Sequence, residues 1–583
     1  MAEIIIGIDL GTTNSEVAVY KDGRVTVLED NNSRLIPSFV GLDDNGEIIV
    51  GEEAKNQYLV YPERTIKSIK RKMGQDEKIA MGKEQYLPQE LSAIILRKLK
   101  LIAENHLNCP IHKAVITVPA YFSDAQRQAT REAGEIAGLE VVKIINEPTA
   151  AALSYEADTQ RDQRILIYDL GGGTFDVSVV QIAGGVVEVI ASHGNNHLGG
   201  DDFDQKIVEA IIDHLRDEHN FDGTLSAQAM ARIEQAAENA KKVLSDNPFA
   251  PLAEEYLCEI KGVPVHLKMD LARVDYEEMI LPYIDETLDA VHTALKSAEL
   301  AASHIDEVLL VGGSTRTPLV ARRLEEKFGF TPRCDMNPDL CVAMGAAMQA
   351  AMIKGDEVHA ALVDITPYTF GTRAYHEDEN GPMLHYFVPI IKKNTPVPVR
   401  KSEVFYTMYE NQQEVEVGIY QGENEDAREN VKIGEFMIQG LSRAPAGNEI
   451  ITTFELDRNG ILHVTSKEKK TGMQKKITID NAMSRFDEAE LTAARERIAD
   501  IFTGDAPEAG TGDGSPVSAG VESVKAMAVV EKAESLFERA EPDDCEDMIS
   551  LIEAIKEAEN TGDKAALSAA VDELSEIIFF LEG

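Results

Sequence analysis

The stretch Ile4-Ile-Ile-Gly-Ile-Asp-Leu-Gly-Thr-Thr-Asn14 has a second copy, Ile165-Leu-Ile-Tyr-Asp-Leu-Gly-Gly-Gly-Thr174. Each copy is an apolar run that ends in Asp-Leu-Gly, and a second apolar stretch with glycine at its centre follows it. This pattern predicts a β-hairpin with an acidic, glycine-rich tip, present twice. A glycine tip lets backbone N–H groups approach an anion, and the neighbouring Asp can hold a cation. Two facing tips of this kind indicate a clamp for a polyphosphate and its metal ion.

Size, composition and charge limit the classes of protein. The chain has 583 residues, of which 44% are hydrophobic, so it has room for several domains. Its net charge of −44 argues against nucleic acid and anionic membranes as partners. Because the sequence contains no basic leader and no apolar run long enough to cross a membrane, we expect a cytoplasmic protein. The cysteines form no Cys-x-x-Cys pair and are predicted to be buried free thiols: Cys109, Cys258, Cys334, Cys341 and Cys545.

The hydrophobic pattern changes along the chain and divides it into regions. The first region alternates strand and helix patterns, which predicts an α/β domain with helices covering its sheets. Later, short alternating runs separated by turn signals predict an all-β sandwich, and the remainder is acidic and helical. The predicted boundaries are 1–355 for the α/β domain, 356–366 for a linker, 367–485 for the sandwich, 486–503 for a helical segment, 504–520 for a flexible Gly/Pro/Ser-rich linker and 521–583 for a small helical bundle.

A third glycine-rich turn lies between a predicted strand and a predicted helix, at Val311-Gly-Gly-Ser-Thr-Arg316. Glycines at such a turn allow the close approach of a flat ligand such as adenine, and Arg316 can stack on that ligand or donate hydrogen bonds to it. The alternative is an ordinary tight turn with a surface arginine. Neither Asp-Leu-Gly tip has the Gly-x4-Gly-Lys-Ser/Thr pattern of a P-loop, so the predicted phosphate site is of another kind.

Four residues are candidates for the chemistry of phosphoryl transfer, which requires a metal, positive charge and a positioned nucleophile. Asp9 and Asp169 are the metal candidates, through water, since Mg²⁺ keeps much of its hydration. Glu147 lies between a predicted strand and a predicted helix, where it can orient or deprotonate water; the alternative is a helix cap. Lys70 can neutralise γ-phosphate charge, or else belongs to a basic helix face. The sequence offers no Ser-His-Asp or Cys-His arrangement.

Several longer blocks resemble the DnaK family, the 70-kDa heat-shock chaperones of the stress response. They extend with gaps from residue 4 to about 480, and actins and sugar kinases share the fold but not these blocks. The matching blocks are Ile6-Gly-Ile-Asp-Leu-Gly-Thr-Thr-Asn-Ser15, Ala114-Val-Ile-Thr-Val-Pro-Ala-Tyr-Phe-Ser-Asp-Ala-Gln-Arg-Gln-Ala-Thr130, Ile144-Ile-Asn-Glu-Pro-Thr-Ala-Ala-Ala152, Asp169-Leu-Gly-Gly-Gly-Thr-Phe-Asp-Val177, Leu198-Gly-Gly-Asp-Asp-Phe-Asp204, Val311-Gly-Gly-Ser-Thr-Arg316 and Asn337-Pro-Asp-Leu-Cys-Val-Ala-Met-Gly-Ala-Ala347.

The resemblance implies an actin-like, two-lobed ATPase domain that binds Mg-ATP or ADP, with K⁺ nearby. It implies catalytic roles for Lys70, Glu147, Asp169, Thr174 and Asp176, and an Mg²⁺ held through water by Asp9 and Asp169. The nucleotide-binding residues that it implies are Asp9, Gly11, Thr12, Thr13, Asn14, Gly171, Gly172, Gly173, Thr174, Gly199, Gly200, Glu238, Lys241, Lys242, Ser245, Gly312, Gly313, Ser314, Arg316 and Asp339.

The resemblance also implies a chaperone cycle, in which the nucleotide controls the binding and release of extended apolar segments by the sandwich. Pro119, Arg127 and Asp364 are implied to couple the two domains. The implied partners are unfolded or client polypeptides, a J-domain co-chaperone and a nucleotide-exchange factor. The implied peptide-binding residues, for which ordinary sandwich core is the alternative, are Phe370, Thr372, Tyr375, Phe405, Met408, Val415 and Val417.

Two departures from the family pattern qualify this expectation. The stretch before Asp364 is Ala-Ala-Leu-Val, less bulky than usual, so weaker docking of the linker is expected. Tyr375 and Met408 differ from the usual pair above the bound peptide. The short helical tail resembles that of the HscC-type branch, and so do the segments Pro389-Ile-Ile-Lys-Lys-Asn-Thr-Pro-Val-Pro398 and Val417-Gly-Ile-Tyr-Gln-Gly-Glu-Asn424. The rival functions are a client-specific regulatory holdase of the same family, an actin-like filament protein and a small-molecule kinase on the same fold.

Overall fold

The computed structural model describes residues 3–503, except 160–161, 220–222, 261–262, 334–336, 357, 359–360, 379–380, 458–460 and 480–487, together with residues 551, 552, 554 and 574. The chain divides into two compact units, Met1–Gly504 and Asp505–Gly583. The predicted linker at 504–520 lies outside the described residues, and so does the predicted bundle at 521–583 apart from those four positions. All other described residues belong to the first unit.

The first Asp-Leu-Gly tip joins two antiparallel strands, as the sequence predicts. These strands belong to a sheet in the order β11-β10-β1-β2-β3, in which β1, β10 and β11 run parallel and β1, β2 and β3 antiparallel. The elements of this first lobe are β1 (Ile5–Asp9), β2 (Asn14–Lys21), β3 (Arg24–Val27), β4 (Ile36–Pro37), β5 (Val40–Leu42), β6 (Ile48–Val50), α1 (Glu52–Tyr58), β7 (Thr65–Ile66), β8 (Ile79–Met81), β9 (Glu84–Tyr86), α2 (Pro88–Leu107), β10 (Lys113–Val118), α3 (Asp124–Ile136), β11 (Glu140–Asn146) and α4 (Glu147–Thr159).

The second tip is built in the same way in a second lobe. Its sheet has the order β17-β12-β13-β14-β18, with β12 parallel to β17 and antiparallel to β13, so that the strand arrangement around the tip is duplicated as well. The elements of this lobe are β12 (Gln163–Leu170), β13 (Phe175–Ala183), β14 (Val186–Asn195), α5 (Gly200–His219), α6 (Ala227–Asp246), β15 (Phe249–Ile260), β16 (Val263–Ala272), α7 (Arg273–Ser297), β17 (Glu307–Val311), α8 (Pro318–Phe328), α9 (Cys341–Lys354) and β18 (Ala361–Ile365).

Helices α4 and α9 pack between the two sheets. Gly345 of α9 lies so close to α4 that a Cβ atom on it would be 1.8 Å from the Ala150 carbonyl oxygen. Gly7 of β1 is similarly close to α9, where a Cβ atom would be 2.1 Å from the Ala347 nitrogen. Only glycine permits this approach at either position, so the helices lie directly on backbone and hold the two lobes together.

The predicted sandwich consists of two four-stranded antiparallel sheets, in the orders β20-β19-β23-β24 and β22-β25-β26-β27. Their facing side chains form one core, in which Ile391, Ile419, Phe454 and Val464 are buried. The strands are β19 (Phe370–Asp378), β20 (Gly381–Ile391), β21 (Pro396–Val397), β22 (Val399–Tyr406), β23 (Glu414–Gln421), β24 (Val431–Gln439), β25 (Glu449–Leu456), β26 (Leu462–Glu468) and β27 (Gln474–Ile479).

Two segments connect the sandwich with the lobes. Strand β18, inside the predicted linker, pairs in parallel with β14 of the second lobe and then antiparallel with β21. Helix α10 (Glu488–Thr503), the predicted helical segment, packs against α2 and α3 through Leu491, Ala494 and Ile498. Arg497 of α10 adds an ion pair with Glu90 of α2. The linker is therefore part of a sheet in this structure.

The structure shows how exposed three of the five cysteines are. Of the cysteines that the structure describes, only Cys341 is buried, whereas Cys109 and Cys258 are partly exposed. The expectation that all five are buried is therefore wrong for these two: Cys109 follows the end of α2, and Cys258 lies in the two-stranded β15–β16 sheet. Within the described ranges, no helix is long and apolar enough to cross a membrane.

Candidate active site

The two Asp-Leu-Gly tips meet directly. A Cβ atom on Gly172 would lie 1.9 Å from Thr13 Oγ1, and one on Gly173 would lie 2.7 Å from Thr12 Cγ2. No larger residue fits at Gly172 without displacing the first tip. The prediction of two facing tips is confirmed, and the glycines of the second tip are what allow the hydroxyl residues of the first to approach.

A cavity of about 650 Å³ lies between the tips, large enough for a nucleotide. Of the predicted nucleotide-binding set, all but Gly173, Gly199 and Gly200 line it. Gly199 and Gly200 instead support the second tip from behind, since the Gly200 N–H donates to the Gly171 carbonyl oxygen at 3.0 Å. Sequence reasoning missed seven further lining residues: Glu16, Leu35, Asp246, Val311, Thr317, Pro338 and Val342.

An ion pair between Lys70 and Glu147 lies at the wall of this cavity. The Lys70 Nζ atom is 2.5 Å from Glu147 Oε1, and the residues are only 4% and 7% exposed. Lys70 lies in a short 3₁₀ turn, Ile69–Lys72, and Glu147 is the first residue of α4. Burial raises the pKa of Glu147 to about 7 against the opposing effect of Lys70. Burial alone would lower the pKa of Lys70, but the charges of Glu147 and Asp9 raise it overall, so the ammonium group stays charged.

Three more predicted carboxylates surround this pair. Asp9 accepts a hydrogen bond from Thr117 Oγ1 at 2.6 Å, and Asp176 accepts from the Ala120 and Tyr121 N–H groups at 3.0 and 3.2 Å. Burial raises the pKa of Asp9 and that of Asp169 above their ordinary values. Burial also raises the pKa of Asp176, to about 6. Buried carboxyl groups in this excess over one ammonium group are stabilised in their charged form by a bound cation.

The donor set fits a hard cation such as Mg²⁺. All the groups concerned are carboxylates, and no cluster of three or more His, Cys, Asp or Glu residues in the described part of the chain forms a direct metal cage. Mg²⁺ commonly keeps several waters and is bound by one or two carboxylates together with substrate phosphates. Asp9 and Asp169 would hold it in this way.

The far end of the cavity is lined by α6 and by the turn after β17. On α6, Glu238 pairs with Lys242 at 2.5 Å and with Lys55 of α1 at 3.7 Å. Burial would raise the pKa of Glu238, but Lys242 and the other lysines outweigh it and lower the pKa to about 2. Arg316 forms an ion pair with Asp339 at 2.7 Å, and both residues line the cavity.

Comparisons with known proteins agree with this geometry. The sequence model of the family described as "Hsp70 protein" matches residues 5–581. The chain belongs to the Hsp70 family. It is 48% identical over 486 residues to the "Chaperone protein DnaK" of Thermotoga neapolitana and to that of Thermotoga maritima, which covers 82% of this chain and 80% of each relative. The protein of the same name from Thermosipho africanus is 46% identical over 485 residues, with the same coverage.

This Hsp70 chain is therefore an ATPase and an ATP-dependent chaperone that binds ATP or ADP with Mg²⁺ and acts on client polypeptides with co-chaperones. Membership in the family also accounts for the architecture, with two actin-like lobes followed by a β-sandwich. The expected resemblance to the DnaK family is confirmed. Its narrower assignment to the HscC-type branch stays a prediction.

In this Hsp70 chain, one hydrogen-bonded network joins two of the three predicted coupling residues, Arg127 and Asp364. Arg127 Nη2 donates to Asn146 Oδ1 at 2.7 Å, and Asn146 Nδ2 donates to both Asp364 oxygens at 3.1 and 3.0 Å. Arg127 Nη2 also donates to the Ala120 carbonyl oxygen at 2.9 Å, next to Pro119. Asp364 belongs to β18, so the network joins the nucleotide lobe to the linker strand. The sequence had not singled out Asn146, which connects the other two.

The seven predicted peptide-binding residues differ in how deeply they are buried. Phe370 and Val417 are buried in the sandwich core, and Thr372 is buried with its hydroxyl donating to the Gly418 carbonyl oxygen at 2.7 Å. Tyr375 and Met408 are 41% and 61% exposed. Phe405 and Val415 are intermediate between the groups. The structure thus brings the first three into the core and leaves Tyr375 and Met408 available to a ligand.

Proposed function

We propose that Lys70 and Glu147 carry the ATP hydrolysis of this Hsp70 chain. The observation behind the proposal is their buried ion pair at the wall of the nucleotide cavity. A bound γ-phosphate brings negative charge next to the Lys70 ammonium group, and the freed Glu147 carboxylate then orients the attacking water. Mg²⁺, when bound, neutralises phosphate charge, and Asp9 and Asp169 are the residues proposed to hold it through water.

The remaining proposed residues support these steps. Asp176, fixed by two backbone N–H groups, keeps a carboxylate near the water, and Thr174 lies at the end of the second tip beside the phosphates. The glycines and threonines of the two tips bind the phosphates through N–H and hydroxyl groups. Glu238, Arg316 and their neighbours receive the adenosine end. A K⁺ ion beside Mg²⁺ is part of the proposal.

A matched pair of lysine variants tests the catalytic assignment. Lys70→Ala should retain nucleotide binding and lower the single-turnover hydrolysis rate by about 10²-fold or more, since an electrostatic group at the transferring phosphate is lost. Lys72→Ala is the control, because Lys72 lies in the same 3₁₀ turn but forms an exposed pair with Glu77. A wild-type rate in Lys70→Ala would refute the role of Lys70.

We further propose that residues 1–355 act as the nucleotide-binding domain, 356–366 as the linker and 367–485 as the client-binding sandwich, with 486–503 as the beginning of a lid. Nucleotide-dependent closure of the lobes changes how the linker strand pairs with β14, and this pairing controls the sandwich. Tyr375 and Met408 support a client site at the sandwich because they are exposed apolar side chains.

The proposed setting is the cytoplasm, with a J-domain co-chaperone and a nucleotide-exchange factor as the co-chaperones. A dedicated, client-specific holdase remains the alternative form of the same activity. Identification of the polypeptides that co-purify with Lys70→Ala distinguishes the two. Many unrelated segments indicate a general chaperone, and one dominant protein indicates a dedicated one.

A further inference from the structure

Glu16 is a buried carboxyl group in the nucleotide cavity that has no part in the proposed hydrolysis. It is 3% exposed, lines the cavity, and lies near the start of β2. In the antiparallel ladder Glu16 lies directly opposite Asp9. Opposite residues of such a ladder project from the same face of the sheet, so the two carboxyl groups are neighbours.

The charges around Glu16 are unbalanced. Asp9 and Asp339 line the same cavity as Glu16, and so does Lys70. The Lys70 ammonium group is already paired with Glu147. Two adjacent carboxyl groups in a buried setting with no cation of their own are costly, and a cation bound beside them removes that cost.

We propose that Glu16 is a further carboxylate of the cation end of the nucleotide site, which together with Asp9 increases the affinity for the Mg²⁺ ion of the bound nucleotide. Glu16 acts through the water shell of the ion, as Mg²⁺ sites in proteins commonly do. This inference rests on the proposed position of the metal at Asp9. It accounts for a glutamate in a strand whose neighbours Ser15, Val17, Ala18 and Val19 are all buried.

The test measures how nucleotide binding depends on Mg²⁺. Affinity for a fluorescent ADP analogue is titrated over a range of free Mg²⁺ concentrations and in EDTA, with the full-length chain. Glu16→Gln keeps the shape and removes the charge, so the Mg²⁺ concentration for half-maximal stabilisation should rise about tenfold or more. Affinity in EDTA should be unchanged or higher, because a group that repels the phosphates is gone. An unchanged Mg²⁺ dependence would overturn the proposal.

Two further variants separate charge from packing. Glu16→Asp retains the charge and should stay within about threefold of the wild-type Mg²⁺ dependence; a loss as large as that of Glu16→Gln would assign the effect to packing and overturn the proposal. Glu132→Gln is the control, since Glu132 is equally buried but lies in α3 outside the cavity, with Gln89 and Gln128 as partners. If the wild-type chain itself showed no Mg²⁺-dependent binding, the proposed metal position would fail rather than the role of Glu16 alone.

Discussion

Removal of the Asp364 side chain should release the linker strand from the nucleotide lobe. Asn146 donates to both oxygens of Asp364, and the Ile365 N–H donates to Oδ1 at 2.8 Å. Thr149 lies at 3.4 Å and contributes little. A hydrogen bond to a charged acceptor contributes about 1.5–3 kcal/mol, and both contacts from Asn146 come from one nitrogen, so we count them once. The Ile365 bond lies within the linker strand itself and does not hold it to the lobe, so Asp364→Ala should cost about 1.5–3 kcal/mol of docking free energy.

Hydrogen exchange of the β18 amides measures this cost. Since each 1.36 kcal/mol corresponds to a factor of ten, protection over residues 361–365 should fall roughly 10- to 150-fold, provided that local undocking governs exchange. Asp364→Asn keeps the shape and one acceptor, but its new amide group places an N–H donor next to the Asn146 amide donor. An intermediate loss of protection is therefore expected. Asn146→Ala should show most of the same loss, and the double variant little more than either single one.

The control is Asp356→Ala, which removes an equal charge nearby, where Asp356 pairs with Lys354 at the end of α9. In Asp356→Ala, the β18 amides should keep the wild-type protection against hydrogen exchange. The reasoning is refuted if Asp364→Ala leaves residues 361–365 protected as in the wild type. It is refuted equally if protection falls by the same factor in β12 and β13, because the effect would then be global.

Three further outcomes are expected for the sandwich and the second tip. Hydrogen bonds from Ser442, Thr471 and Asn448 outweigh the effect of burial and lower the pKa of Glu468 to about 2. The ionised Glu468 therefore stabilises the fold at pH values above its unfolded pKa of about 4.3. This contribution of about 2–3 kcal/mol is lost as the pH falls toward 2. Urea unfolding at several pH values should therefore be less acid-sensitive in Glu468→Gln than in the wild type, and equal sensitivity would contradict the assignment. Met408→Ala should weaken fluorescent-peptide binding about threefold to tenfold without lowering the unfolding temperature, since the side chain is exposed; unchanged affinity would exclude it from the client site. Gly172→Ala should weaken ADP binding at least tenfold because its Cβ atom would overlap Thr13, and normal affinity in calorimetry would contradict the tip contact.

The sequence predicted those parts of the structure whose signal is local. Both Asp-Leu-Gly hairpins were visible because apolar runs flank a glycine turn, and the strand-to-helix position of Glu147 could be inferred from its neighbours. Hairpin β15–β16 was not found, because a shift in register between Glu254 and Cys258 interrupts the alternation of β15. Strands β19, β20 and β24 of the sandwich were missed as well.

Apart from the two facing tips, contacts between distant parts of the chain had no signal in the spacing of the residues. Lys70 and Glu147 are 77 positions apart, and the link from Arg127 through Asn146 to Asp364 joins three separate elements. Glu16 was overlooked because one charged residue in a strand reads as a surface position; only the pairing with Asp9 places it in the cavity. The strand in the linker was hidden because backbone groups, rather than a side-chain pattern, pair it with β14.

The contact of α4 and α9 with bare backbone has a mechanical consequence. At Gly345 and Gly7 no side chain lies between the packed backbones. There is little there to compress, so we expect this contact to resist deformation when one lobe rotates against the other. A displacement of one tip by a bound phosphate group should therefore be passed on by the lobes as nearly rigid bodies, rather than absorbed where they touch.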